Sequence, residues 1–189
     1  MTEPPEVPIL DTARLRLRPI TEDDAPGLHE AYGNAEAMRF WDGLPSRDLA
    51  ETVLRIRRSL EVSPHWHATF AVEQRASGRF VGAVNYHERR PLYHRLVLGW
   101  LIVPNYWRQD LTLEAVSALL RHCFQALDTH RIEAEIDPAN VASRGLAERL
   151  GFQREGLMRD RLWVESKPSS CLMYALLRPE WGDAGHPNG

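Results

Sequence analysis

The stretch Leu98-Gly-Trp-Leu-Ile-Val-Pro-Asn-Tyr-Trp-Arg-Gln-Asp-Leu-Thr-Leu-Glu-Ala115 reads as an apolar strand, a short loop and the start of a long helix. The first-turn N–H groups of a helix lack intrahelical partners, and the helix dipole adds partial positive charge there. Such a junction suits a phosphate, although a plain strand-to-helix connection has the same pattern. Other chemistry-bearing residues are few. Lys167 is the only lysine, so a G-K-[ST] phosphate loop is absent and a Schiff-base role would fall to Lys167 alone. Cys123 and Cys171 form no CxxC pair and cannot build a disulfide framework; they read as small buried hydrophobes. His65-Trp-His67 places two imidazoles on one face of an expected strand, but no cysteine or carboxylate stands at a suitable spacing. Edge-strand histidines are therefore the reading rather than a metal pair. Phe40, Trp41 and Trp66 either line a substrate cleft near the first two helices or pack in the core.

The elements that must position these residues follow from periodicity. Arg14-Leu-Arg-Leu-Arg18 alternates as a half-buried strand ended by Pro19. Thr21-Glu-Asp-Asp24 opens a helix that runs towards Gly33, with acids in its first turn. Ser46 is expected to cap a second helix, whose apolar positions are Leu49, Val53, Ile56 and Leu60. Trp66 to Glu73 and Phe80 to Tyr86 form a hairpin around Ala76-Ser-Gly78, and Leu96 to Val103 is a strand stopped by Pro104. A long helix starts at Leu111. Arg131 to Ile136 alternates as a strand, Pro138-Ala-Asn140 leads into a helix closed by Leu150-Gly151, and strands follow near Leu157–Val164 and Cys171–Leu177.

With 189 residues, 43% apolar and 26% charged, the chain is expected to be one globular domain, not a disordered segment. It divides into an extended leader over 1–11, a single domain over 12–181 and a flexible tail over 182–189. No run approaches the roughly 18 apolar residues of a membrane span. The formal net charge of −3 gives no electrostatic hold on nucleic acid or anionic membrane. MTEPPEVPIL lacks a basic segment followed by an apolar one, so a cytoplasmic protein is expected.

Thr12-Ala-Arg-Leu-Arg-Leu-Arg-Pro19, Pro104-Asn-Tyr-Trp107, Leu113-Glu-Ala115, His130-Arg-Ile-Glu133, Asp137-Pro-Ala-Asn140, Ser143, Leu150-Gly-Phe152, Arg154-Glu-Gly156 and Leu176-Leu-Arg-Pro-Glu-Trp181 follow one another in this order. Together they resemble the GNAT N-acetyltransferases, specifically the RimJ/RimL branch of ribosomal-protein N-terminal acetyltransferases and their relatives. The resemblance runs from Thr12 to Trp181. It implies an α/β GNAT fold: a central twisted sheet, mixed but mostly antiparallel, with helices on both faces and a splayed parallel strand pair in the middle. It implies acetyl-CoA as acetyl donor, no metal, and as acceptor a small-molecule amine or a protein N-terminus. A homodimer is compatible with it. Backbone groups of Leu101, Ile102 and Val103 would hold the pantetheine arm, and one N–H there would face the thioester oxygen. The loop Arg108, Gln109, Asp110, Leu111 and Thr112 would cup the pyrophosphate. Asn140 would hydrogen-bond the pantetheine, and Ser143 would lie near the sulfur. The cluster Arg55-x-Arg57-Arg58 reads as a solvated face or as a hold for an acidic peptide or the adenosine 3′-phosphate.

Two positions depart from the branch. Its members usually carry Gly-x-Gly where this chain has Arg108-Gln109-Asp110, and often an acid where this chain has Val97. Glycine takes positive φ at low cost; Asp110 tolerates it better than most residues but brings negative charge to an anion site. Arg108 can offset that charge by bonding phosphate. Direct attack by a neutral amine needs N–H donors for the developing oxyanion, a modest base, and an acid for the thiolate. Ser143 is the candidate acid, with a capping serine as its other reading. Glu88 and His87, just after a central strand, and Glu155 are the candidate bases; a solvated hairpin end and a structural ion pair are their alternatives. A second reading of the whole chain is a catalytically impaired binding or regulatory module with this fold.

Overall fold

The computed structural model describes residues 6–41, 43–164 and 166–183. The first five residues of the expected leader and residues 184–189 of the expected tail lie outside the described residues. The elements in chain order are β1 (Leu10–Asp11), β2 (Leu15–Pro19), α1 (Ala25–Tyr32), α2 (Ala35–Met38), α3 (Leu49–Leu60), β3 (Ala68–Gln74), β4 (Phe80–Arg90), β5 (Arg95–Ile102), α4 (Leu111–Gln125), β6 (Arg131–Ile136), α5 (Val141–Arg149), β7 (Gln153–Val164), β8 (Lys167–Leu177) and α6 (Arg178–Asp183). One eight-stranded sheet runs in the order β1-β2-β3-β4-β5-β6-β8-β7. All pairings are antiparallel except β5 with β6.

Alternation along the strands assigns side chains to the two faces. In β4, Val84 and Tyr86 join the core formed with Leu111, Val116, Leu119, Leu120 and Cys123 of α4, while Ala83 joins a smaller core with Leu28 of α1 and Ile56 of α3. Helices therefore cover both faces. Gly82 lies against β5: an added Cβ would lie 2.8 Å from the Ile102 Cα, so only glycine fits without moving the strands.

Several local expectations change. Asp48, not Ser46, caps α3, its side chain accepting from the Glu51 N–H; Ser46 is buried and its hydroxyl has no partner among the described residues. The β-region backbone at Asp48 aims a short carboxylate at the first turn. Leu49 and Leu60 are exposed, and Ile56 and Thr52 carry the buried face. A short α2 intervenes because the Asn34 side chain accepts from the Glu36 and Ala37 N–H groups. Strand β3 starts only at Ala68, so His65-Trp-His67 lies in the preceding turn and does not share a strand face. Two leader residues, Leu10 and Asp11, pair with Leu17 and Arg16.

Candidate active site

The parallel pairing of β5 and β6 stops after three residues: Arg95 faces Arg131, Leu96 faces Ile132, and Val97 faces Glu133. Beyond Val97 the two strands part, and one edge of β5 is left without a strand partner. Which backbone groups face this opening follows from the ladder on the other side. The Val103 N–H bonds the Val81 carbonyl at 2.9 Å, and in an antiparallel ladder alternate residues point the same way. Val103 and Leu101 are thus turned towards β4, whereas Ile102, Trp100 and Leu98 turn towards the opening. Of the three backbone positions expected to hold a ligand, only Ile102 faces it. The Ile102 carbonyl already accepts from the Trp107 indole at 2.8 Å, so its N–H is the open group.

The loop after β5 reaches α4 through Pro104–Tyr106, which form a 3-10 turn. Arg108 and Asp110 both take positive φ, +59° and +57°. The shape that glycines would give is therefore kept by residues that adopt it at a cost of about 1–2 kcal/mol each. Asp110 occupies the N-cap position of α4 yet makes no side-chain cap. Its Oδ1 instead accepts from Arg149 Nη1 at 2.8 Å. The amides opening α4 at Leu111 and Thr112 are not stoppered by that carboxylate. Gln109 is held from both ends, its Nε2 donating to the Asn105 carbonyl and its own carbonyl accepting from Arg14 Nη1. Arg108 is exposed, and its guanidinium has no bonding partner among the described residues.

Across the opening, α5 begins at Asn140, whose Oδ1 caps the helix by accepting from the Ser143 N–H at 3.1 Å. Its Nδ2 is the part that remains to donate. Ser143 Oγ accepts from the Trp100 indole N–H at 3.2 Å. That bond ties α5 to β5 and leaves the serine O–H as a donor.

On the opposite face of the sheet lies a cavity of about 290 Å³, lined by residues of α1, α3, β3 and β4 together with Trp41 and His67. At its floor His87 Nδ1 is 3.0 Å from Asn85 Oδ1, and His67 Nε2 is 2.9 Å from Thr69 Oγ1. Burial, with His87 as a neighbour, pulls the His67 pKa down to about 4, so this imidazole is neutral near pH 7. Asn85 pairs with Gly99 of β5, and its Oδ1 lies 3.0 Å from where a Gly99 Cβ would sit. The cavity floor thus abuts β5 two residues beyond the point where β6 leaves it. Of the arginine cluster, Arg55 lines this cavity and Arg57 pairs with Glu22 outside it. Trp41 lines it too, while Phe40 lines a smaller cavity next to Glu135 and Asp137.

Two candidate bases fall elsewhere. A bulge between His87 and Arg90 puts Glu88 at φ +47°, and its carboxylate turns to Arg95 and Arg161, at 3.9 and 3.8 Å. Glu155 is gripped by both Arg131 Nη atoms at 2.8 and 2.6 Å, and this hydrogen bonding holds its carboxyl below the usual carboxylate range. A carboxylate so paired is a poor proton acceptor. Neither residue lines the cavity; His87 does, and sequence pattern does not separate it from Glu88. Among the described residues no three His, Cys, Asp or Glu side chains converge as metal ligands, and no helix is long and apolar enough to cross a membrane.

Comparison with known proteins gives a family match over most of this geometry. Residues 14–153 match the acetyltransferase (GNAT) domain. An uncharacterized N-acetyltransferase of Bacillus subtilis, YoaA, is 28% identical over 174 residues, covering 91% of this chain and 98% of the relative. The [ribosomal protein uS5]-alanine N-acetyltransferase of Escherichia coli is 26% identical over 91% of this chain and 92% of its own length. Among solved structures, the ribosomal L7/L12 α-N-protein acetyltransferase RimL in complex with coenzyme A superposes with a TM-score of 0.79 at 20% identity, covering 90% of this chain and 98% of that one.

Proposed function

The chain belongs to the GNAT acetyltransferase family, in its RimJ/RimL-like part, and from that premise we propose that it moves the acetyl group of acetyl-CoA to a primary amine. The acceptor is a small molecule or a protein N-terminus held in the cavity above Asn85 and His87, and the setting is cytosolic. The observation that carries this reading is the open end of α4: Asp110 is drawn off to Arg149 and does not cap the helix. The amides of Leu111 and Thr112 and the guanidinium of Arg108 then fit a pyrophosphate. Asn140 Nδ2 and the Ile102 N–H fit the amide-bearing arm.

Acetyl-CoA supplies the thioester. The outward-turned N–H of Trp100, two residues before Ile102 along β5, is the donor available for the carbonyl oxygen as charge develops on it. The amine lone pair forms the new C–N bond, the C–S bond breaks, and the departing thiolate takes the proton of Ser143 Oγ, which is reprotonated from the solvent that finally receives the amine's proton. The ammonium proton leaves towards His87, directly or through water, a modest base being sufficient for an amine of pKa near 8.

Titration of the pure protein with acetyl-CoA tests the reading. At 100 times the dissociation constant, binding adds about 2.7 kcal/mol of stability, visible as a raised melting temperature. A flat response at millimolar acetyl-CoA overturns it in favour of a binding module that has lost the donor.

A further inference from the structure

Resting on that reading, we propose that the acceptor is a free α-amino acid with an apolar or aromatic side chain, its carboxylate held by Arg55. The cavity has three kinds of wall. Ile20, Leu28 and Ile56 make an apolar side, and Tyr32 and Trp41, packed edge-on with ring centroids 6.2 Å apart, make an aromatic one. Asn85, His67 and His87 make the polar floor that abuts β5. Arg55 supplies the one permanently charged group among the described lining residues.

The Arg55 guanidinium is pinned before any ligand arrives. Its Nη2 donates to the Leu44 carbonyl and pairs with Glu51 Oε1 at 3.5 Å, and its Cζ lies 5.3 Å from the centre of the Tyr32 ring. Among the described residues Nε and Nη1 have no acceptor and remain as donors, and an immobilised fork binds a carboxylate with little further loss of entropy. The fork and the His87 floor belong to one cavity whose volume, about 290 Å³, sits at the lower end of the ~300–1,000 Å³ of small-molecule sites. An α-amino acid meets all three walls at once: carboxylate at the fork, side chain on the apolar and aromatic side, amine over Asn85 and His87. A polyamine would bring further cations against the same guanidinium, and a peptide N-terminus would bring an amide where the fork expects an anion.

Steady-state release of the CoA thiol decides the matter. L-leucine, L-methionine and L-phenylalanine are each compared with their carboxamides and decarboxylated amines, with spermidine and an alanine-initiated tripeptide alongside. The amino acids are expected to exceed their carboxamides in kcat/KM by at least tenfold. Arg55→Gln is expected to bring that ratio close to one while the acetyl-CoA thermal shift persists, and Arg55→Lys to give an intermediate ratio. Equal use of the carboxamides, a preference for spermidine or the tripeptide, or no turnover of any amino acid while acetyl-CoA still binds, overturns the proposal. If acetyl-CoA itself does not bind, the acyl-transfer reading fails separately, and calorimetric titration of L-leucine decides the pocket. Binding that Arg55→Gln abolishes upholds the carboxylate site, and no binding to the unaltered protein overturns it.

Discussion

Asp110 Oδ1 accepts a 2.8 Å hydrogen bond from Arg149 Nη1, linking the N-cap position of α4 to the last turn of α5. Both side chains are more than half exposed, 62% and 56%, so the pair itself adds little stability. What it fixes is direction. A carboxylate at an N-cap would otherwise satisfy the amides of the first turn, the very groups needed for an anion.

Arg149→Ala therefore separates affinity from stability. The unfolding free energy should change by less than about 0.5 kcal/mol, whereas acetyl-CoA should bind about tenfold more weakly, equivalent to ~1.4 kcal/mol, once Asp110 is free to turn back. Asp110→Gly should do the opposite for the ligand: it removes the charge and relieves the left-handed strain, raising the melting temperature by about 2–4 °C. Calorimetry with acetyl-CoA and a thermal melt of each variant check both statements. Unchanged affinity in Arg149→Ala would show that the bond does not orient anything of consequence.

Arg108 offers the second test of the same mouth. Its guanidinium is exposed and without a partner among the described residues, beside the helix that would receive the diphosphate. Arg108→Ala is expected to weaken acetyl-CoA about tenfold. It should also flatten the dependence of affinity on salt, because a screened charge has been removed. A salt dependence identical to that of the unaltered protein would assign Arg108 to solvent.

What the sequence disclosed was local. Arg131 to Ile136 falls where its strict alternation puts it, and Gly78 and Gly151 mark turns at φ +67° and +89°. The junction at 98–115 was legible because a strand, a Pro-containing loop and an i, i+4 apolar row occur together. Tertiary facts were not. Nothing in Glu88 or Glu155 announces the bulges that turn them to arginines, and Arg55-x-Arg57-Arg58 gives no sign that only its first member faces a cavity. The inward or outward sense of Leu101, Ile102 and Val103 depends on register with β4, which a single strand does not encode.

Ser143→Ala should leave the acetyl-CoA dissociation constant within twofold, because its hydroxyl is engaged by Trp100 and its backbone N–H, bonded to Asn140, survives the change. Turnover should fall by about 10²-fold, the lower end of general acid–base contributions. Trp100→Phe removes only the indole donor and should cost less. A fall in affinity equal to the fall in kcat would make Ser143 a binding residue, not the thiolate's proton source.

His67 sets the behaviour in mild acid. Unfolded, a histidine protonates near pH 6.5; folded, burial in the cavity wall beside His87 postpones protonation to about 4. Between those values the unfolded chain binds more protons, so stability falls as pH falls. From pH 7 to 5 the loss attributable to this residue is about 2 kcal/mol, and it saturates below about pH 4. His122, also pulled down by burial, acts in the same direction. Asp24 works at lower pH: burial raises its pKa, but the Arg18 and Thr21 hydrogen bonds more than offset that and hold the carboxyl below its ordinary value. His67→Gln keeps a partner for Thr69 and cannot ionise. Urea unfolding at pH 7 and pH 5 should thus show a clearly smaller difference in the variant than in the unaltered protein. If the two differences match, His67 is already solvated in the folded state, and the cavity floor is wetter than its burial implies.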